Sequence, residues 1–259
     1  MHKTDKPKDA DIFFKIFYDI GKYSLLMKRV FSKPDKWTVF KKQTFSEMDN
    51  LCLGSLGIVA IISIFMGAVL VIQTAYSITT PFVPIYTIGF TARQSLILEF
   101  SPTIISLILA GKVGSRISSE IGTMRVTEQI DALEIMGINS ANYLIFPKII
   151  ACVLLNPFLI ILSMFLGMLG GWMVAIFTGI VTSDVYFVGL QSFFNPYQVF
   201  YALAKTSVFA FIITSVSGYH GYSTRGGALE VGRSSTLAVV YSSILIILAN
   251  LVLTQLLLK

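Results

Sequence analysis

Long runs of apolar residues alternate with short polar connections over most of this sequence. Five runs are long enough to cross a bilayer, which takes about 20 apolar residues in a helix. They cover residues 51–72, 96–114, 143–181, 196–217 and 235–258. The pattern therefore predicts an all-α integral membrane protein with five transmembrane helices.

The third run is longer than one straight crossing needs. Pro147 stands near its start, and Asn156 and Pro157 lie within it. Because proline removes a backbone donor and clashes with the preceding turn, we expect a kink or an interfacial lead-in there.

Residues 1–50 follow a different pattern, in which aromatic and apolar residues recur at helical spacing among charged ones. The spacing predicts one amphipathic helix over about 11–31 and, after Pro34, a second short helical piece. Thr44 and Glu47 have the spacing of an N-terminal capping box. We expect these N-terminal amphipathic helices to lie in the membrane interface.

Composition agrees with a membrane location. Of the 259 residues, 54% are hydrophobic and 13% charged, whereas soluble domains carry about 25% charged residues. The net charge of +6 arises between Met1 and Lys42, where basic residues outnumber acidic ones. Such a segment is typical of a cytoplasmic membrane surface. No recognition motif accompanies the charge, so nucleic-acid binding is not favoured.

Basic residues also predict the orientation of the spans. With the N-terminus in the cytoplasm, the external loops contain Arg93, and Lys259 ends the chain outside. The internal loops contain Lys112, Arg116, Arg125, Lys148, Arg225 and Arg233. This bias follows the positive-inside rule, and five spans leave the C-terminus on the periplasmic side.

The internal loop over 116–139 has the pattern of a polar helix. Thr127, Asp131 and Glu134 share one face, with Glu128 beside it. A helix with an acidic side suits insertion into a groove on a soluble partner. A solvated connector helix is the alternative that the spacing alone leaves open.

Two long motifs resemble the conserved stretches of MlaE-family permeases, the membrane subunits of Mla and Mce lipid transporters. The first is AGKVGSRISSEIGTMRVTEQIDALEIMG, at 110–137, and the second is GYHGYSTRGGALEVGRSSTLAVV, at 218–240. The likeness covers roughly 44–259. It implies a permease domain over 51–259 that works as a homodimer in the bacterial inner membrane.

The resemblance also implies partners. A separate cytoplasmic ABC ATPase, which uses ATP and magnesium, would contact the coupling helix over about 116–139. The implied contact residues are Glu120, Arg125, Glu128, Asp131 and Glu134. A periplasmic MCE-domain protein and, in some systems, a STAS-domain protein would complete the assembly. The implied activity is phospholipid movement between the inner membrane and the MCE partner, for outer-membrane lipid homeostasis.

Charged residues inside the apolar runs are candidates for a lipid cavity. Glu99 lies near the outer start of the second run and Lys205 about two turns into the fourth. Ionised groups in hydrocarbon are costly and face a cavity or each other. We expect Glu99, Lys205 and Arg93 to line the cavity, with Lys205 near an anionic headgroup. The alternative is a structural ion pair or snorkelling of these side chains towards the headgroups. The family's arginine before this glutamate is replaced here by Leu98.

Gly167 and Gly171 form a GxxxG motif in the third run, which favours close helix packing. The motif leaves open whether the packing serves a dimer or one protomer.

Catalytic and cofactor motifs are missing from the sequence. No GxxxxGK[ST] run is present, so we expect ATP to be hydrolysed by a separate subunit and no cofactor to be bound by this chain. His2 and His220 are isolated, and no nucleophile–base arrangement is visible. Residues 234–236 have the composition of a helix cap at the start of the fifth span.

Two other functions are compatible with a five-span protein. A transporter driven by an ion gradient would favour several intramembrane acids and inverted repeats, and no repeat is visible. A non-transporting scaffold would keep the interaction loop without ATPase coupling.

Overall fold

The computed structural model describes residues 10–33, 37–78 and 82–257, and the regular elements there are helical. The helices are α1 (Ala10–Val30), α2 (Trp37–Glu47), α3 (Leu56–Ser77), α4 (Thr87–Ser95), α5 (Ile105–Leu109), α6 (Ser115–Val126), α7 (Gln129–Ile135), α8 (Ser140–Phe177), α9 (Ser183–Gln191), α10 (Pro196–Tyr222) and α11 (Ala228–Leu257).

Five continuous helical runs are long and apolar enough to cross a membrane, which confirms the predicted fold class. They are Trp37–Ser77, Thr87–Val126, Ser140–Phe177, Pro196–Tyr222 and Ala228–Leu257. In the second run, π-helical segments at Leu96–Ile104 and Ala110–Gly114 join α4, α5 and α6. The runs are longer than most of the apolar stretches because helical hydrogen bonding continues into the flanking polar residues.

The third run is the exception, since it ends at Phe177 and not at 181. Gly179 has a φ of +67°, a conformation that favours glycine and turns the chain away from the helix. At its other end the run begins at Ser140, where the side chain of Asn139 accepts a hydrogen bond from the backbone N–H of Asn142.

Successive runs alternate in direction, so the bundle has two distinct ends. One end, here called the basic end, carries α1, α7 and the turn between α10 and α11, with Arg29, Arg125 and Arg225. The other, here called the α4–α9 end, carries α4, α9 and the C-terminal end of α11.

The two helices predicted before the first span are present as α1 and α2, and their place in a membrane interface remains a prediction. α2 continues through a π-helical turn, Met48–Cys52, toward α3. Thr44 and Glu47 therefore lie inside a helix, and the predicted capping box is wrong. Thr44 Oγ1 donates instead to the carbonyl of Phe40, at 2.9 Å.

The single coupling helix predicted over 116–139 is divided in two. α6 ends at Val126, and Glu128 has a φ of 60° in the left-handed region. The reversal lets Ile130 on α7 join the same buried cluster as Ile117 and Ile121 on α6. Burial of apolar side chains from both helices favours this break over a straight helix.

The fifth span begins at Ala228, seven residues before the predicted start, so residues 234–236 are not a helix cap. Two of these hydroxyls connect helices instead. Ser234 Oγ donates to the carbonyl of His220, at 2.6 Å, and Ser235 Oγ donates to that of Ser115, at 2.8 Å.

Glycines let α3 and α8 approach closely within one protomer. A Cβ on Gly67 would overlap the carbonyl of Gly167, and a Cβ on Gly170 would overlap that of Ile64. Gly171 faces the Tyr186 hydroxyl and Val71. The structure thus places the GxxxG motif in an intramolecular contact.

Serine hydroxyls form hydrogen bonds between helices in the same region of the bundle. Ser63 Oγ donates to Ser163 Oγ, at 2.8 Å, and Ser163 Oγ donates to Ser101 Oγ, at 3.2 Å. The two bonds connect the first, second and third spans, in the manner of polar contacts between membrane helices.

The short helices α4 and α9, which the apolar pattern did not predict, pack on each other. A Cβ on Gly189 would overlap the carbonyl of Tyr86, and one on Gly89 would lie 2.7 Å from that of Tyr186. Tyr186 of α9 is buried, with its hydroxyl donating to the carbonyl of Met168 on α8, and this burial raises its pKa to about 12. The pair forms a compact cover at one end of the bundle.

Replacing Gly170 by alanine should destabilise the protein, because the added Cβ meets a backbone carbonyl that cannot move aside. Overpacking of this kind costs about 1–3 kcal/mol. The thermal unfolding midpoint of the purified, detergent-solubilised chain measures the effect. Gly57→Ala is the matched control, since nothing lies within 4 Å of a Cβ there. Equal midpoints for the two variants would contradict the close approach.

Candidate functional site

A lysine and a glutamate meet inside the helical bundle. Lys205 lies on α10, and Glu99 lies in the π-helical segment Leu96–Ile104 of the second span. The Lys205 Nζ is 3.1 Å from Oε1 of Glu99. The Lys205 side chain is fully buried, whereas that of Glu99 is 42% exposed. Burial of an ammonium in an apolar bundle requires such a counter-charge.

Other polar groups complete this cluster from the second and fifth spans. Thr103 Oγ1 and Asn250 Nδ2 donate to Oε2 of Glu99, at 3.2 and 3.0 Å. Lys205 Nζ also donates to Thr254 Oγ1, at 3.3 Å. The cluster therefore connects three spans through one carboxylate and one ammonium group.

A proline in the same segment explains one further contact of the lysine. Pro102 lacks the N–H that an α-helix would donate to the carbonyl of Leu98. Lys205 Nζ donates to that carbonyl, at 3.2 Å. The lysine thus stabilises both the charge of Glu99 and the distorted backbone that presents it. π-Helical segments of this kind occur frequently at functional sites.

Exposure distinguishes the two charged side chains. Lys205 lies deeper in the bundle than Glu99, and its side chain has no accessible surface. The group that a bound molecule can reach in this conformation is the Glu99 carboxylate. Its free acceptor capacity suits a hydrogen-bond donor or a cationic group on that molecule.

Arg93 makes its contacts away from this pair. Its side chain is 1% exposed and lies between the rings of Phe90 and Phe194, 5.2 and 5.6 Å from their centroids. Its Nη1 donates to the carbonyl of Leu190, at 2.5 Å. The structure therefore groups Arg93 with the α4–α9 cover and does not bring it to Glu99 or Lys205.

Most charged side chains of the segment over 116–139 form ion pairs with other residues of this chain. Arg125, at the end of α6, pairs with Asp131 on α7, with 2.6 Å between Nη1 and Oδ1. Glu134 accepts hydrogen bonds from Tyr222, at 2.9 Å, and from Ser140, at 2.9 Å. Glu128 is exposed as well, and within the described ranges no ion pair of 4.0 Å or less involves it. Only part of the acidic side that the spacing predicts is therefore free to contact a partner protein.

Hydrogen bonding shifts the titration of Glu134. The pKa of the Glu134 carboxyl is lowered from its ordinary value of 4.5, and the hydrogen bond from Tyr222 makes the largest contribution. Partial burial opposes this shift, and Ser140 and Arg29 add to it. Arg29 on α1 pairs with Glu134 at 3.1 Å. The carboxylate therefore ties α7 to α1, α8 and α10.

Two large apolar side chains are exposed at the C-terminal end of α7, next to the exposed charged residues Asp131 and Glu134. Ile135 is 87% exposed and Met136 65% exposed. Both follow the acidic positions that sequence reasoning singled out, and neither had been identified as a candidate. Large exposed apolar side chains next to a charged surface are typical of protein interaction sites.

Lys148 forms a second buried ionic centre that the sequence did not reveal. Its Nζ lies 2.6 Å from Oε1 of Glu47 and 2.9 Å from Oε1 of Glu120. The lysine is on α8 and its partners are on α2 and α6. Glu120, predicted to contact the ATPase, thus also makes an internal ion pair. A basic residue inside an apolar run was the available signal, although the partners are distant in sequence.

Metal binding is not indicated by the side chains that the structure describes. Within those ranges, no group of three or more His, Cys, Asp or Glu residues is arranged to hold a metal ion.

Comparison with known proteins gives consistent matches over most of the chain. The family model for the MlaE permease matches residues 44–256. A probable ABC transporter permease protein of Rickettsia bellii is 36% identical over 245 residues, 95% of this chain and 94% of that protein. A probable ABC transporter permease protein of Synechocystis is 37% identical over 221 residues, 83% of this chain and 82% of that protein.

A eukaryotic relative is also similar. The chloroplastic protein TRIGALACTOSYLDIACYLGLYCEROL 1 of Arabidopsis thaliana is 31% identical over 220 residues. The match covers 85% of this chain and 63% of that protein.

Replacing Lys148 by methionine should destabilise the bundle, because Glu47 and Glu120 would then share a site without their cation. Breaking a buried pair costs about 3–5 kcal/mol, and the half-exposed Glu120 reduces this figure. Thermal unfolding of the purified chain measures the loss. Arg233→Met is the control, because its pair with Glu230 spans 3.9 Å at the surface. A midpoint as high in Lys148→Met as in Arg233→Met would contradict the structural role.

The Glu134 contacts should stabilise the fold in a pH-dependent way. Because the folded state lowers the pKa of Glu134, its stabilisation is present above pH 4.5 and is lost as pH falls through the folded pKa. We expect Glu134→Gln to lower the unfolding midpoint at neutral pH and to differ less from the parent chain below pH 4.5. A difference that stayed constant across this range would exclude the ionised carboxylate as the cause.

Proposed function

This chain belongs to the MlaE permease family, and on that premise we propose that it moves phospholipid between the bacterial inner membrane and a periplasmic MCE-type partner. It is the membrane-spanning permease of an ABC transporter, a class that works with a separate ATPase subunit. Lipid homeostasis of the outer membrane is the process that this movement serves. The observation that carries the proposal is the Glu99–Lys205 cluster inside the bundle.

The cluster is suited to hold the headgroup of a lipid. The buried Lys205 ammonium group holds the Glu99 carboxylate in place, with 3.1 Å between Nζ and Oε1, and part of the carboxylate stays exposed. The surrounding helices supply an apolar environment for acyl chains, with few polar groups that fix orientation. A carboxylate at this place favours headgroups that carry an ammonium or hydroxyl donor. The headgroup therefore contacts Glu99, and Lys205 acts as its positioning partner.

The basic end of the bundle faces the cytoplasm in this proposal. The positive-inside rule supports that orientation, as does the clustering of Arg29, Arg125 and Arg225 there. The α4–α9 end then lies on the periplasmic side, where an MCE-domain partner would receive or deliver lipid. Two copies of the chain form the transport unit, and a STAS-domain protein can bind the ATPase.

The ATPase docks on α7 and the residues beside it. Exposed Ile135 and Met136 supply an apolar contact, and exposed Glu128 supplies charge. The Arg125–Asp131 pair connects α7 to α6, and α6 continues the same helical run that carries Glu99. Movement of α7 by the ATPase is thereby transmitted along the second span to the headgroup site.

A transport assay with the purified complex tests this proposal. Fluorescent phospholipid is followed from proteoliposomes to the MCE partner, with ATP and with an ATPase-inactive partner as the first control. We expect transfer to require ATP hydrolysis and Glu99→Gln to slow it by about tenfold or more, as loss of a charged hydrogen-bonding contact predicts.

Asp184→Asn is the matched control, because this exposed carboxylate on α9 lies outside the cluster. Normal transfer by Glu99→Gln would remove the cluster from the mechanism. Transfer that continued with the inactive ATPase, or that followed an imposed ion gradient, would favour a secondary transporter and overturn the proposal.

A further inference from the structure

A cavity lies at the basic end of the bundle, and no residue of the Glu99–Lys205 cluster lines it. It has a volume of about 280 Å³ and lies between α1, the end of α6 and the turn that follows α10. Four cationic side chains line it: Lys22, Arg29, Arg125 and Arg225. The apolar part of its wall includes Leu25 and Leu26. Basic and apolar surfaces thus meet in one small pocket.

Two of these four cations have no carboxylate partner among the residues that the structure describes. Arg29 pairs with Glu134 and Arg125 with Asp131. No ion pair within 4.0 Å involves Lys22 or Arg225 in the described ranges, although Asp19 precedes Lys22 by three residues. The pocket therefore carries a local excess of positive charge.

The charge and shape of the cavity favour a phosphate-bearing anion. Guanidinium groups donate two parallel hydrogen bonds to phosphate, and an ammonium group adds a compact point charge. The volume is below the range of about 300–1,000 Å³ that drug-sized ligands occupy. It accommodates a headgroup and not a whole lipid.

The position of α1 indicates where that phosphate comes from. Phe17 and Leu25 of this helix are 71% and 67% exposed, although both are large and apolar. An amphipathic helix with such a surface lies at the level of lipid headgroups. Leu25 belongs both to this exposed surface and to the wall of the cavity. A lipid next to α1 can thus place its phosphate in the pocket while its acyl chains stay in the bilayer.

We infer that this pocket binds the phosphate of an anionic phospholipid from the leaflet that α1 contacts, at a site separate from the transported lipid. Basic pockets beside membrane helices recognise such headgroups. The bound phosphate joins α1, α6 and the turn after α10. It also shares Arg29 and Arg125 with the carboxylates of α7. Anionic lipid content is thereby sensed next to the helix that the ATPase contacts.

Site-specific crosslinking in nanodiscs tests the inference on the full chain. The photoreactive residue p-benzoylphenylalanine replaces Leu25, and fluorescent phosphatidylglycerol or phosphatidylcholine is added to a phosphatidylcholine bilayer. We expect preferential crosslinking of phosphatidylglycerol. The double variant Lys22→Gln and Arg225→Gln should reduce it by about fivefold for each basic residue removed.

A second double variant, Lys28→Gln and Arg233→Gln, is the matched control. It removes the same charge from exposed positions that do not line the pocket, and crosslinking should stay close to that of the parent. Equal losses in the two double variants would mean general surface attraction and would overturn the inference. So would equal crosslinking of the two lipids in the parent.

Inorganic phosphate distinguishes the source of the anion. Because the acyl chains also hold the lipid next to α1, excess inorganic phosphate at constant ionic strength should reduce crosslinking only in part. Complete loss of crosslinking would assign the pocket to a free anion and overturn the lipid assignment. Failure of the phosphate-pocket inference can be distinguished from failure of the proposed transport function. Crosslinking at Leu25 should persist in Glu99→Gln, and transfer should still depend on Glu99 if the pocket proves empty.

Discussion

An ammonium group is costly to bury among apolar helices unless a carboxylate lies beside it. The structure meets this constraint twice. Lys205 faces Glu99 within the bundle, and Lys148 faces Glu47 and Glu120 at the level of α2. Each pair joins helices that are remote in sequence. Because the cost of a lone buried charge is several kcal/mol, these contacts restrict how the spans can be arranged.

Glycine contacts act together with the ion pairs. Gly67 and Gly170 bring α3 and α8 to backbone contact, and Gly89 and Gly189 do the same for α4 and α9. Close backbone approach joins the first and third spans, while the Glu99–Lys205 pair and its hydrogen bonds join the second, fourth and fifth. The second span remains the most irregular, with two π-helical segments. It is also the span that connects α7 with Glu99.

The lengths of the apolar runs were sufficient to predict the five spans, and the two long motifs were sufficient to predict the family. Both are local signals that can be read from consecutive residues. Local signals also placed Glu99 and Lys205 inside spans. They could not decide between a lipid contact and an ion pair, and the structure shows the pair while leaving the Glu99 carboxylate accessible. The exposed apolar side chains at Ile135 and Met136 were missed because only the acidic pattern of that segment was considered.

Other features depended on contacts that sequence spacing does not encode. The Lys148 site joins residues 101 and 28 positions apart. The break at Glu128 needs a left-handed conformation at a residue that is not glycine, so no turn signal marks it. Arg93 looked like a cavity residue by its position in the chain. It is buried instead in the α4–α9 cover, whose two helices are too short to be detected by an apolar run.

A double-mutant cycle on Glu99 and Lys205 tests most directly whether these two buried charges stabilise the bundle by compensating each other. The unfolding free energies of the parent chain, Glu99→Gln, Lys205→Met and the double variant are compared in the same detergent. Charge compensation predicts that the double variant is less destabilised than the sum of the single variants, with a coupling of about 0.5–3 kcal/mol. Additive effects would mean that the two side chains do not depend on each other, and would contradict the account.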